Sequence, residues 1–139
     1  METSAALQAF RRLILAVVVV GIAGIGAELV LLEHWESPLQ WTPFIGMGTA
    51  TLVIVAAGMR PTRRRILVLR AMMLALIVIG AVGMWLHWRS NALLELEMNP
   101  DAAGWPHFRR VLFGGTPLLA PGAVMHLGLI GLASTWRQL

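Results

Sequence analysis

Four apolar runs, each close to the length that crosses a bilayer, occupy most of this 139-residue chain: residues 13–32, 43–59, 66–86 and 117–135. A hydrocarbon core about 30 Å thick takes roughly 20 helical residues at 1.5 Å rise each. The mean hydropathy of +0.74 agrees. With 58% of residues hydrophobic and 13% charged, the chain has room for one membrane-embedded domain over residues 1–139 and none for a separate soluble one. The expected fold is all-α: a four-helix transmembrane bundle with both termini on the inner side. Short amphipathic interfacial helices are expected in the outer loop between spans three and four.

Arginine sets the expected orientation. All 11 basic residues are arginine. Arg11, Arg12, Arg60, Arg63, Arg64, Arg65, Arg70 and Arg137 fall at one set of span ends, whereas Arg89, Arg109 and Arg110 fall at the other. The excess of basic residues on cytoplasmic loops then places both termini and loop 60–65 in the cytoplasm, in the inner membrane of a bacterium. The net charge of +4 therefore reflects membrane orientation, and the lipid bilayer, not nucleic acid, is the expected partner. Tryptophan agrees: Trp35, Trp41, Trp85, Trp88 and Trp136 lie at span boundaries, where an indole is half buried and its N–H stays wet. Trp105 would lie on the outer surface.

Arg11 and Arg12 precede the first apolar run as in a secretory leader. The run is longer than the roughly 7–15 residues of such a segment, and Glu33-His34-Trp35-Glu36 follows it in place of a small-residue cleavage site. A retained helix is expected. Loop 60–65 makes a tight connection between spans two and three. Its Arg60, Arg63, Arg64 and Arg65 determine topology and offer contacts to anionic lipid headgroups.

The outer segment 87–116 forms the expected cap. Ser90 through Met98 reads as a short amphipathic helix with Ser90 at its N-cap, and Asn99-Pro100-Asp101 ends it. The stretch from Trp105 to Phe113, with Arg109 and Arg110 among apolar anchors, suits a segment in the outer interface. Gly114-Gly115 is a hinge, and Pro117 suits the first turn of span four.

Few residues suggest chemistry. The absence of cysteine excludes disulfides, thiolate metal sites and cysteine nucleophiles. No GxSxG, HExxH, P-loop or dinucleotide fingerprint occurs, so no enzyme activity is expected. Glu28 is set about a turn and a half inside the outer end of span one, where an ionised carboxylate is costly unless paired. Gly21, Gly24 and Glu28 share one helix face, which small residues suit for close helix approach inside the bundle. His126, a little over two turns into span four and on a face with Gly122 and Ala133, is the expected buried partner of Glu28.

Among the other histidines, His34 and His87 lie at or beyond span ends and His107 lies in the loop, so haem between two mid-helix imidazoles is poorly supplied. Met84, His87, Met98, Met125 and His126 could supply a soft copper site on the outer side, since thioether and imidazole suit copper, but methionine is also ordinary filler in apolar helices. His34 beside Glu33 and Glu36 reads as a solvated cap, and no metal or cofactor is favoured.

Glycines on several faces, Gly21, Gly24, Gly80, Gly83, Gly128 and Gly131 among them, point to close helix packing. Gly128 and Gly131 lie nearly opposite His126, so one face of span four serves the chain's own bundle and the other an external partner. The expected function is an accessory or structural subunit within a larger membrane complex, with other membrane subunits or further copies of the chain as partners. The alternatives are a small proton- or ion-coupled transporter using Glu28 and His126, and a haem- or copper-binding redox subunit.

Overall fold

A computed structural model describes residues 2–136 and 138, with side chains from residue 5. Among the described residues the chain is all-helical: α1 (Glu2–Leu31), α2 (Trp41–Met59), α3 (Arg63–Met98), α4 (Gly104–Leu112) and α5 (Ala120–Ser134). Three helical segments, Ala5–Leu31, Pro38–Met59 and Arg63–Met98, are long and apolar enough to cross a membrane; α5 is apolar but shorter.

Local chemistry fixes most of the ends. Glu33 takes a left-handed φ of 51° at the position where glycine usually stops a helix. The His34 amide donates to the Leu29 carbonyl at 2.9 Å and the Glu33 amide to that of Val30 at 3.1 Å, a paired closure that satisfies the last carbonyls of α1. In the following turn the Ser37 amide donates to Gln40 Oε1 at 2.8 Å. Pro61 follows the extended Arg60 at the end of α2, and Thr62 caps α3 by accepting from the Arg65 amide. Asn99-Pro100 ends α3.

Two expected boundaries need correction. α3 runs unbroken through His87 to Met98, 36 residues or about 54 Å, so Ser90 is mid-helix and not an N-cap. Nothing between Gly83 and Asn99 interrupts a sequence rich in Leu, Glu and Met; tryptophan favours a membrane interface, but a helix need not end where its tryptophans lie. The fourth apolar run is helical over only 15 residues, about 22 Å, because Pro117-Leu118-Leu119 forms a turn before Pro121 starts the helix.

α2 and α5 pack antiparallel against α3, and α1 closes the bundle against both of them. Met47, Ala50, Ile54 and Ala57 of α2 and Val124 and Leu127 of α5 close on Leu69, Met73 and Leu76 of α3, with Val18 and Ile22 from α1 completing the core. The tightest contact joins α3 to α5. A Cβ on Gly80 would stand 2.6 Å from the Met125 nitrogen, and one on Gly128 would stand 2.7 Å from the Met73 carbonyl oxygen. Backbone meets backbone at both ends of this crossing, which small residues alone permit. Around the core lies a sheath of exposed aliphatic side chains, including Leu13, Val20, Leu31, Ile45 and Leu52, as lipid-facing surfaces require.

The contacts define two ends of the bundle. At one, α1 begins, α2 ends, α3 begins and α5 ends; the arginines of loop 60–65 gather there. At the other, the C-terminal third of α3 extends beyond α5 and α4 folds back on it.

Candidate functional site

The capped end is organised by Asn91. Its side chain is 3% exposed and uses every hydrogen-bonding position it has. Nδ2 donates to the Val111 carbonyl at 3.0 Å and to that of Thr116 at 2.9 Å. Oδ1 accepts from the Thr116 amide at 2.9 Å and from its hydroxyl at 2.6 Å. One amide thus ties α3 to the end of α4 and to the strand of chain entering α5. Gly114 permits it: a Cβ there would stand 2.7 Å from Asn91 Cγ.

One turn further along, Glu95 is buried on the same face and pairs with Arg110 Nε of α4; Asn99 Nδ2 donates to the same carboxylate oxygen at 3.1 Å. Phe108 stacks on Trp105 and meets Trp88 of α3, with ring centroids 5.3 Å and 5.2 Å apart. Between α3 and α4 lies an open groove of about 810 Å³, with Leu94, Met98 and Phe113 on its apolar side and Glu95, Arg109 and Arg110 on its polar side. The buried Nδ1 of His107 has no hydrogen-bond partner among the described residues.

Beside the cap, His34 from the turn after α1 faces His87 of α3, ring centroids 6.5 Å apart. His87 Nδ1 lies 3.0 Å from the Pro117 carbonyl. Partial burial, and then the facing His87, hold the His34 imidazole below the usual histidine range.

At the opposite end the arginines close helix termini. Arg65 Nη1 donates to the Ala56 carbonyl at 2.9 Å and to that of Arg60 at 3.2 Å, at the end of α2. Arg70 holds Thr135 through Oγ1 at 3.0 Å and its carbonyl at 2.7 Å. Arg11 Nη2 donates to the Trp136 carbonyl at 2.6 Å. Guanidinium groups here satisfy carbonyls that helix geometry leaves open, where the helix dipole also favours positive charge. Arg65 is therefore committed to α2. Arg60, Arg63 and Arg64 are exposed and remain available to a headgroup. Arg137 lies outside the described residues.

The expected buried pair is not assembled. Glu28 and His126 are both exposed, no hydrogen bond joins them, and His126 Nδ1 lies 2.7 Å from the Gly122 carbonyl of its own helix. The register explains the separation. Gly21 packs against Leu127, so Glu28 lies seven residues toward the capped end from that level and His126 only one, an offset of about 9 Å. α5 begins at Ala120, level with Glu28, so no helix continues past it to cover the carboxylate.

The glycines divide as well. Gly21 faces Leu127, Gly80 and Gly83 face Pro121 and Met125, and Gly128 and Gly131 face Met73 and Ile77, whereas a Cβ on Gly24 would meet nothing within 4 Å. The conceivable copper ensemble is dispersed: Met84 packs on Gly122, His126 faces outward, and Met98 lies eleven residues, about 16 Å, along α3 from His87. Asn91 and the Glu95–Arg110 pair carry the cap, and sequence reasoning singled out neither. The available signal was the spacing of Asn91, Glu95 and Asn99 at four-residue intervals, one polar face on a helix otherwise lined with leucine.

No family model matches the chain, and neither curated proteins nor solved structures show significant similarity to it.

Proposed function

We propose that this chain is an accessory or structural subunit of a larger membrane assembly, crossing the inner membrane of a bacterium four times with both termini in the cytoplasm. The observation that carries this reading is the exposure of Glu28. It lies within the apolar segment Ala5–Leu31, followed by Leu29, Val30, Leu31 and Leu32, yet no residue of its own chain pairs with it among the described residues. A carboxylate facing lipid costs up to about 3 kcal/mol on insertion scales at mid-membrane, and less toward a helix end.

Gly24, one turn below on the same face, is open and lets another helix come close. The occupant that fits is a transmembrane helix of a partner subunit, presenting a hydrogen-bond donor to Glu28 and a smooth apolar surface to Gly24. The outward His126, on another helix, adds a second polar group suited to such contacts. Four crossings are supported by the arginine distribution and by the contact of Arg11 with the Trp136 carbonyl, which sets the two ends of the chain side by side.

The test is purification from the native membrane in mild detergent. The chain is expected to come off with other membrane proteins, and Glu28→Leu to reduce that association while the chain itself stays folded. A solitary species that is unaffected by Glu28→Leu overturns the proposal.

A further inference from the structure

Two histidines from distant parts of the chain meet at the capped end, ring centroids 6.5 Å apart. We infer that His34 and His87 form a binding site for one first-row divalent metal ion of the zinc and copper class, each ligating through a ring nitrogen with water completing the shell.

His87 is the fixed member. The Pro117 carbonyl, 3.0 Å from its Nδ1, can only accept, so Nδ1 carries the proton and Nε2 keeps the lone pair. A backbone carbonyl on the second nitrogen is the usual means by which a protein orients a metal-binding imidazole and raises its basicity. Thr116, the residue before that carbonyl, is clamped by Asn91, so the ring is anchored through the whole cap.

His34 is the adaptable member. It follows Glu33, whose left-handed backbone occupies a glycine-type helix stop. This closure, unusual for a residue with a side chain, turns the chain back so that His34 meets α3. Its ring makes no hydrogen bond among the described residues.

A shared ion is within reach of the two rings. A metal–nitrogen bond of about 2.0–2.1 Å puts the metal roughly 3.2 Å from each ring centre, so two rings at a tetrahedral angle on one ion have centroids about 5.2 Å apart. The observed 6.5 Å closes to that distance by side-chain rotation and a shift of roughly 1 Å on the His34 turn. Imidazole selects zinc, copper or nickel over calcium and magnesium. With two protein ligands and no group of three or more ligating residues among those described, the site leaves positions open to water and exchangeable ligands.

The experiment uses the full chain, purified in mild detergent on a tag without histidine, stripped with EDTA and titrated with Zn(II) by calorimetry. One zinc per chain is expected, with Kd raised at least about tenfold in His34→Gln and in His87→Gln and unchanged in His107→Gln and His126→Gln. His34 lies on a turn outside the helices, so His34→Gln keeps the fold, which circular dichroism checks. With Cu(II), electron paramagnetic resonance should show nitrogen couplings that are lost in the double variant. Failure of the wild-type chain to bind zinc, or equal affinity in His34→Gln, overturns the inference.

Discussion

Asn91 shows how much one side chain can organise when all its hydrogen-bonding capacity is spent. Removing it leaves the Thr116 amide and carbonyl without their partners beneath the cap, each worth about 1–3 kcal/mol when orphaned, and the Val111 carbonyl with only the longer contact from the Gly114 amide at 3.4 Å. Asn91→Ala should therefore lower stability by at least about 2 kcal/mol, read as a drop in thermal midpoint in detergent, and should expose the linker around Gly114 to protease. Unchanged protease sensitivity would show that the cap is held by the Glu95–Arg110 pair and the Trp88–Phe108 contact instead.

His34 makes a prediction of different sign. Because burial and then His87 lower its pKa from the ordinary 6.5, the unfolded chain takes up the proton more readily than the folded one. In metal-free protein, stability should fall as pH drops through about 6.5 and level off below the folded-state pKa. NMR of the imidazole should show titration below 6.5, moving upward in His87→Gln but not fully back, since burial is the larger cause.

Helices pack through glycine in two distinct ways here, and substitution separates them. Gly80 and Gly128 stand against backbone of the opposing helix, which cannot swing away, so Gly80→Val or Gly128→Val should destabilise the chain by about 1–3 kcal/mol through overpacking. Gly24→Val meets nothing in the chain and should leave its thermal midpoint unchanged while weakening association with a partner. A loss of intrinsic stability in Gly24→Val would mean that α1 packs differently.

The sequence made these packing faces visible through the three- and four-residue spacing of small residues, but not which face met which helix. Apolar length likewise showed which segments are suited to cross a membrane and not where the helices stop. Tryptophan placement reports a preference for an interface, whereas α3 follows backbone propensity and continues to Met98. Glu28 was legible as an anomaly. Its relation to His126 was not, because their relative depth depends on the axial register of α1 against α5, in which Leu127 packs over Gly21.

At the scale of the whole molecule, the main question about α5 is depth. Its 15 residues span about 22 Å, several ångströms short of the hydrocarbon core, and alone could describe a helix that dips into one leaflet. The proposed fourth crossing draws its support from the contacts of α5. Gly122 packs beside Met84 and Gly131 beside Met73, so α5 runs alongside the apolar stretch of α3 for most of its own length. Its last turn is then held by Arg70, and Trp136 by Arg11 from the first third of α1. A helix antiparallel to α3 over that stretch delivers the chain to the level where α1 and α3 begin. In the proposed four-crossing arrangement the turn at 117–119 and local thinning of the bilayer make up the missing length, at fractions of a kcal/mol per ångström. Reporters fused separately to the two ends should therefore score in the same compartment, the cytoplasm. In Arg11→Gln/Arg70→Gln the two ends should remain on that side, since apolar burial holds α5 in place, while the thermal midpoint falls. A C-terminal reporter in the opposite compartment would make α3 the last crossing, and the packing of Gly128 and Gly131 on α3 would then have to form outside the lipid.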